Sequence, residues 1–219
     1  MKPFKGIFTW VDERLAIGEY IRRDILDKPI PKGLNVSYCF GGITFFLFVM
    51  LAVTGYFMTF YYVPSPEQSY DAVDYMTFEV PLGSIIRGVH HWSANLMMVT
   101  IFLHMVRVYV YGAYKKPREI NWMTGVLLFC LVMAFGFTGY LLPWDQKAYW
   151  ATRVGTNMLA TVPVIGDALM RLSRGGSEIG AMTMTRFYSM HVLFLPLFTM
   201  VFLIGHFLMI RRQGIARPL

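Results

Sequence analysis

Four long apolar segments alternate with polar stretches along the chain, and each is long enough to cross a bilayer as an α-helix. They cover about 36–62, 82–111, 122–142 and 184–210. The pattern predicts an all-α membrane protein with four transmembrane helices in a bundle.

The segment before the first span, residues 10–31, mixes charged residues with regularly placed apolar ones. This pattern is typical of an amphipathic helix that lies on a membrane surface, and Pro29 and Pro31 favour its end there. We therefore expect residues 1–35 to form a surface segment of a single domain that comprises 1–219.

About forty residues, 143–183, connect the third and fourth spans. The connection contains ProTrpAsp at 143–145 and an apolar stretch, 148–165, that Gly155 and Pro163 interrupt. Loops of this length are uncommon unless they have a function. We interpret the connection as a candidate functional loop.

The distribution of charge predicts the orientation in the membrane. Residues 1–35, 112–119 and the tail after 210 together hold thirteen Lys or Arg and six acids, whereas 64–81 holds four acids and no Lys or Arg. The positive-inside rule places the first three regions on the cytoplasmic side, or its equivalent. An even number of spans then places 143–183 on the outer side.

Composition supports a membrane protein. The 219 residues are 56% hydrophobic and 16% aromatic, and the mean hydropathy is +0.47, values that exclude a typical soluble domain. The net charge of +7 could suggest nucleic-acid binding, but the basic residues cluster beside apolar runs, as membrane anchors do. The first ten residues lack the apolar core of a signal peptide, so we expect the N-terminus to be retained. Cys39 and Cys130 lie far apart in apolar segments and suggest no disulfide framework.

Four histidines in the second and fourth spans form two pairs. His90 and His104 are fourteen residues apart, and His191 and His206 are fifteen apart. These gaps correspond to roughly 21 and 22 Å, about four helical turns, so each pair points to one side of its helix. The orientation places His90 with His191 near the outer side and His104 with His206 near the inner side.

Two facing imidazoles at each depth are the ligands that a bis-histidine heme iron needs. The pattern therefore predicts two stacked b hemes, one at each level. A single intramembrane histidine could instead bond to a neighbouring helix, and zinc is disfavoured because neither pair has a third ligand. His91 points about 100° away from His90 and is interpreted as a flanking residue.

Glycines repeat with the period of the first histidine pair: Gly41 and Gly55 in the first span, and Gly125 and Gly139 in the third. A glycine allows a flat macrocycle to approach a helix closely, although small residues also pack membrane helices together.

Arg87 and Arg107 lie near His90 and His104 in the sequence. Both are candidates to pair with heme propionates, and either could instead extend to the headgroups.

Several motifs resemble cytochrome b6, the N-terminal half of a split cytochrome b. They are ArgGlyValHisHisTrpSerAla (87–94), LysLysProArgGlu (115–119), GlyTyrLeuLeuProTrpAsp (139–145), ArgPheTyrSerMetHis (186–191) and HisPheLeuMetIleArgArgGlnGlyIle (206–215). The resemblance covers nearly the whole chain, and the fifteen-residue gap is the b6-type spacing. The ProGluTrpTyr motif of the C-terminal half is absent from the sequence, as expected if a separate subunit supplies it.

The resemblance implies a heme-carrying core of a quinol:cytochrome c or plastocyanin-type oxidoreductase. The quinol would be oxidised at the outer side, and the electrons would cross to an inner heme and quinone site with proton translocation. Implied partners are a Rieske iron–sulfur protein, a c-type cytochrome and a subunit IV-like C-terminal cytochrome b half, in a dimeric complex. The quinone would be menaquinone or plastoquinone, and the membrane would be a bacterial plasma membrane, with a thylakoid as the alternative.

The resemblance also implies roles for individual residues. Cys39, in TyrCysPheGlyGly (38–42), would hold a c-type heme through a single thioether bond. Candidate residues of the outer quinol pocket are Tyr140, Pro143 and Trp144, and those of the inner heme and quinone site are Asp24 and Arg211.

Two other functions remain open from the residues. A diheme anchor that links a peripheral dehydrogenase to quinone would use the same histidines, although the long outer loop and Cys39 argue against it. A transporter would be colourless, so a visible spectrum distinguishes it.

Overall fold

The structure, a computed structural model, describes residues 2–22, 27 and 35–216, which fall into an N-terminal unit and a larger unit of Asn35–Ala216. In the N-terminal unit, helix α1 (Lys2–Leu15) and helix α2 (Ile17–Ile21) are separated by Ala16, which has a left-handed backbone (φ 47°). Within residues 2–21 the chain is therefore helical from residue 2 and interrupted at Ala16, whereas the sequence predicted one helix over 10–31. Pro29, Pro31 and Asp24 lie outside the described residues.

Four long apolar helical segments cross the larger unit, which confirms the predicted spans. They are helix α3 (Phe40–Thr59) after a 3-10 turn (Val36–Cys39), helix α5 (Gly83–Val110), helix α6 (Glu119–Leu141), and the continuous segment Ala181–Gln213. Helices suit the bilayer because they satisfy their own backbone hydrogen bonds.

The fourth span begins a few residues earlier than predicted and is not a uniform α-helix. It consists of helix α9 (Ala181–Ser189), a π-helical turn (Met190–Phe194) and helix α10 (Leu195–Gln213). Chain continuity through the turn keeps the whole segment as one span.

Helices α3 and α5 pack along each other, and α6 packs along α10. Leu47, Met97, Ile101 and Val132 form a small buried cluster in mid-bundle. Most other large apolar side chains of the spans are exposed, which is the expected distribution where lipid replaces water. Tight helix contacts therefore depend on small residues and a few polar groups.

The two outer connections, for which the sequence predicted no regular structure, contain helices. Helix α4 (Ser69–Phe78) lies within 64–81, and helices α7 (Gln146–Ala160) and α8 (Gly166–Arg174) lie within 143–183. The ProTrpAsp sequence forms the corner between α6 and α7. Trp144 takes a left-handed backbone (φ 53°), and the Asp145 carboxylate caps α7 by accepting a hydrogen bond of 2.8 Å from the Ala148 amide.

Arg174, at the end of α8, is buried and joins the segments of the outer connection. Its guanidinium donates to Thr156 Oγ1 and Asn157 Oδ1 at 2.7 Å each, and to the carbonyls of Arg153 and Ser177. Its own carbonyl accepts a hydrogen bond of 2.8 Å from Thr183 of α9. Among the described residues, the acceptors of this buried cation are neutral, and together they hold these elements in one arrangement.

Replacement of this cation should loosen the outer connection. In Arg174→Met the apolar bulk is kept but four acceptors lose their donor, so we expect local opening of α7 and α8 to become easier by about 2–3 kcal/mol. Hydrogen–deuterium exchange in detergent should then be roughly 30–150-fold faster in these helices.

The matched control is Arg171→Met in the same helix, because Arg171 makes only an exposed ion pair with Asp167. This change should alter the opening free energy by no more than about 0.5 kcal/mol. Equal exchange rates in the two variants would show that the Arg174 contacts do not stabilise the connection.

Candidate functional site

The outer histidine pair meets across the bundle. His90 of α5 and His191 of the π-helical turn have ring centroids 6.4 Å apart, with 60° between the ring planes. Ring nitrogens that each lie about 2 Å from a shared metal would place the two ring centroids at about this separation. The gap therefore has the size for one metal centre between the two rings.

Threonine hydroxyls determine which nitrogen of each outer ring carries a proton. Thr54 Oγ1 donates to the Met50 carbonyl at 2.7 Å and lies 2.9 Å from His90 Nδ1. Because the hydroxyl proton is already donated, the oxygen accepts from Nδ1–H, and Nε2 keeps its lone pair. Thr138 acts in the same way on His191, with 2.8 Å to the Ala134 carbonyl and 3.1 Å to Nδ1.

The inner pair, His104 and His206, lines a cavity of about 340 Å³ between α3, α5, α6 and α10. Most of its wall is apolar. Its polar residues include Tyr38, Arg107, Arg118 and Asn121. The cavity is therefore an apolar slot with a basic rim and an imidazole on either side.

Polar atoms without a partner concentrate around this cavity in the described part of the chain. Arg107 stacks on Tyr38, with its guanidinium carbon 3.5 Å from the ring centroid, yet its Nε and Nη2 are buried without an acceptor. Arg118 Nε and Tyr38 Oη are likewise buried without an acceptor, and Asn121 Oδ1 is buried without a donor. Buried unpaired polar groups are costly, so these atoms indicate a bound group that carries hydrogen-bond acceptors and negative charge.

Each of the four periodic glycines lies against one of the four histidines. A Cβ atom built on the glycine would lie 2.9 Å from His104 Cε1 at Gly41, 3.3 Å from His90 Cε1 at Gly55, 3.5 Å from His206 Cε1 at Gly125 and 2.6 Å from His191 Cε1 at Gly139. Any side chain at Gly41 or Gly139 would therefore displace the ring. The sequence suggested room for a macrocycle; the structure shows that the immediate neighbour is the imidazole.

The other predicted site residues lie at the two ends of the bundle. Arg87 is exposed near the start of α5, and Arg211 is half-buried in the last turn of α10, next to Ile210 of the cavity wall. Cys39 ends the 3-10 turn and is exposed, while its neighbours Tyr38 and Gly41 line the cavity. Cys130 and His91 are also exposed.

The outer pocket candidates lie at the corner between α6 and α7. Tyr140 is exposed, Pro143 and Trp144 are half-buried, and the Trp144 ring packs edge-on against Tyr149 at 5.9 Å. The structure brings these residues to one corner, where Trp144 lines an open depression together with Tyr70, Asp145, Gln146 and Lys147.

Tyr62 fixes this corner from the other side. It lies beyond the end of the first span and donates a hydrogen bond of 2.7 Å to the Leu142 carbonyl, just before Pro143. Its ring stacks on Tyr188 at 5.3 Å, one turn before His191. Burial raises the pKa of Tyr62 to about 12, so the hydroxyl remains a donor at physiological pH.

Sequence reasoning missed Thr54, Thr138 and Tyr62. A partial signal for the two threonines is present: the dipeptide ThrGly occurs at 54–55, 124–125 and 138–139, each time with a periodic glycine, and the threonine bonds to a histidine in the first and third cases. Tyr62 has no comparable signal, because its partner is a backbone carbonyl 80 residues away.

Comparison with known proteins places this geometry in a family. Residues 25–214 match the family model described as Cytochrome b/b6/petB. The chain is 49% identical to cytochrome b6 of Auxenochlorella protothecoides over 97% of this chain and 99% of the relative. It is 50% identical to the menaquinol:cytochrome c reductase cytochrome b subunit of Geobacillus thermodenitrificans, over 97% and 98%.

A chain of a hyperthermophilic respiratory Complex III has a similar fold, with a TM-score of 0.88 and 31% identity. The match covers 96% of this chain and 56% of that chain. The motifs that resemble cytochrome b6 thus lie in a chain with the matching length, spans and fold, and the chain belongs to the cytochrome b/b6 family.

Proposed function

We propose that the chain is the transmembrane diheme core of a quinol:cytochrome c or plastocyanin-type oxidoreductase. The observation that carries the proposal is the pair of imidazoles at each of two depths, with each ring backed by a glycine of the adjacent helix. His90 and His191 would be the ligands of the outer heme b iron, and His104 and His206 those of the inner one.

The residues present fit these groups. At the outer level, Nδ1 of each ring bonds to a threonine, so Nε2 is available to bind iron. At the inner level, Arg107 and Arg118 have unpaired donors beside an apolar slot, which suits a flat ring with carboxylate substituents. When bound, the two hemes would supply one-electron steps between the sides of the membrane.

Charge and position support quinol oxidation at the outer side. We assign the outer pocket to the corner of Tyr140, Pro143 and Trp144, which Tyr62 and Asp145 hold in place. Transfer of one quinol electron to a Rieske cluster and the other to the outer heme would release two protons outside. The inner quinone site would lie near Arg211, and Asp24 stays a sequence-based candidate there.

We also propose that Cys39 holds a c-type heme. Its thiol is exposed and is not part of the wall between His104 and His206, although Tyr38, Gly41 and Gly42 are. A group attached there would be separate from the inner b heme but close to its rim. In the proposed diheme core, Arg87 would pair with a propionate of the outer b heme and Arg107 with a propionate of the inner b heme.

The proposed assembly includes a C-terminal cytochrome b half, a Rieske protein and a c-type cytochrome. The match covers 56% of the Complex III chain, and we assign the rest of that chain's fold to the proposed C-terminal half. Relatives from an alga and from a bacterium leave plastoquinone and menaquinone as the two quinones to test.

The histidine assignment is tested by heme content and redox titration of single variants in the purified complex. We expect His90→Leu and His191→Leu to lose the same b-type redox component, and His104→Leu and His206→Leu to lose the other. The remaining heme shows that the bundle has folded. His91→Leu is the control and should retain both components; loss of different components within one pair would refute the pairing.

The glycine contacts predict a steric requirement at each level. Gly139→Ala should reduce outer heme content by about tenfold, because an overpacked ring costs about 1–3 kcal/mol. Gly136→Ala, one turn earlier on α6 where nothing lies within 4 Å, should retain both hemes. Gly41→Ala should likewise lower inner heme content, and equal heme content in Gly139→Ala and Gly136→Ala would exclude the requirement.

The covalent heme is tested by heme staining after denaturing electrophoresis. Cys39→Ser should abolish the stain on this chain and leave two extractable b hemes in a pyridine hemochrome assay. Cys130→Ser should leave both the stain and the b hemes unchanged. A stain that persists in Cys39→Ser would show that the attachment site is elsewhere.

A further inference from the structure

The two histidine-bearing spans have different spacings but present the same geometry. Fourteen α-helical residues fall about 40° short of four turns, and fifteen overshoot them by about 60°. On two regular helices, the second pair would therefore diverge from the first by about 100°. A regular fourth helix could face its partner with only one of its two histidines.

The structure nevertheless places both histidines of the fourth span against glycines that are fourteen residues apart. His206 lies beside Gly125, and His191 lies beside Gly139. Gly41 and Gly55 are also fourteen residues apart, and they lie against His104 and His90 of α5, which have the same separation. The fourth span must therefore absorb one residue between its two histidines.

The π-helical turn Met190–Phe194 is where the residue is absorbed. The Leu195 amide donates to the Met190 carbonyl, a bond that spans five residues instead of four. Such a turn takes in roughly one more residue than an α turn. His191 is the second residue of this turn, so the extra residue is accommodated directly beside the proposed ligand.

Pro196 explains why the turn widens at this point. Proline has no N–H, and in a regular helix its ring would clash with the carbonyl four residues earlier, that of Val192. A wider turn before the proline moves that carbonyl away. The sequence HisValLeuPheLeuPro (191–196) thus encodes both the ligand and its displacement.

We propose that the π-helical turn, fixed by Pro196, is a positioning element that brings His191 into register with His90 despite the extra residue. The proposal rests on the proposed heme ligation for its readout. It assigns no chemistry to the turn itself: the element acts only through the direction of His191.

Two single-residue deletions of matched exposure test the proposal in the purified complex. Leu193, in the turn, and Val201, in α10, are each 59% exposed. Either deletion leaves His191 and His206 fourteen positions apart, the spacing of His90 and His104. Deletion of Leu193 should remove the residue that the wide turn accommodates, leaving α turns with a bend at Pro196, and retain two extractable b hemes. Deletion of Val201 should keep the turn, rotate the two ends by about 100°, and lose one heme.

Two extractable hemes in the unmodified chain test the proposed function. The difference in heme content between the two deletion variants tests the role of the turn. Circular dichroism and the remaining heme verify folding. In electron paramagnetic resonance of the oxidised protein, the Leu193 deletion should retain two low-spin bis-imidazole signals. Equal heme content in the two deletion variants, or loss of the outer heme on deletion of Leu193 alone, would overturn the proposal.

Discussion

The close approach of imidazole rings to glycine backbones is the constraint on which the rest of the bundle depends. At Gly139 and Gly41, even one methyl group would meet a ring carbon at less than 3 Å. This contact sets the distance of α6 from the fourth span and of α3 from α5. The apolar core is too small to set these distances alone, because Leu47, Met97, Ile101 and Val132 form its buried centre. The contacts between histidine rings and glycines are thus responsible for the spacing of the helices.

The sequence predicted the parts of the structure that have a period. Spans, histidine pairs and glycine pairs all repeat on a helix, so spacing alone places them on one side of it. Features that depend on a single distant contact have no period. The buried Arg174 interactions were missed for this reason, because they are hydrogen bonds between residues that lie 17, 18 and 21 positions apart in the sequence. The π-helical turn was missed because spacing arguments assume a uniform helix.

The corner between α6 and α7 shows how a motif has a structural and a functional meaning at once. Trp144 has a left-handed backbone, which costs about 1–2 kcal/mol for a residue other than glycine. The Asp145 cap and the Tyr62 hydrogen bond to Leu142 offset this cost from either side. The corner is therefore held by polar contacts, and its aromatic side chain is free to serve as the wall of a pocket.

The polar surroundings of the two levels differ in a way that favours electron transfer from the outer side to the inner side in the proposed arrangement. Outer imidazoles that donate Nδ1–H to Thr54 and Thr138 are stronger ligands, which stabilises oxidised iron. At the inner level, the half-buried guanidinium of Arg107 and the nearby Arg118 stabilise an added electron. Arg87 beside the outer pair is exposed, so water and salt screen its charge. Both effects would lower the reduction potential of an outer heme iron relative to an inner one, so in the proposed arrangement two hydroxyl groups and two arginines would favour electron transfer from the outer side to the inner side.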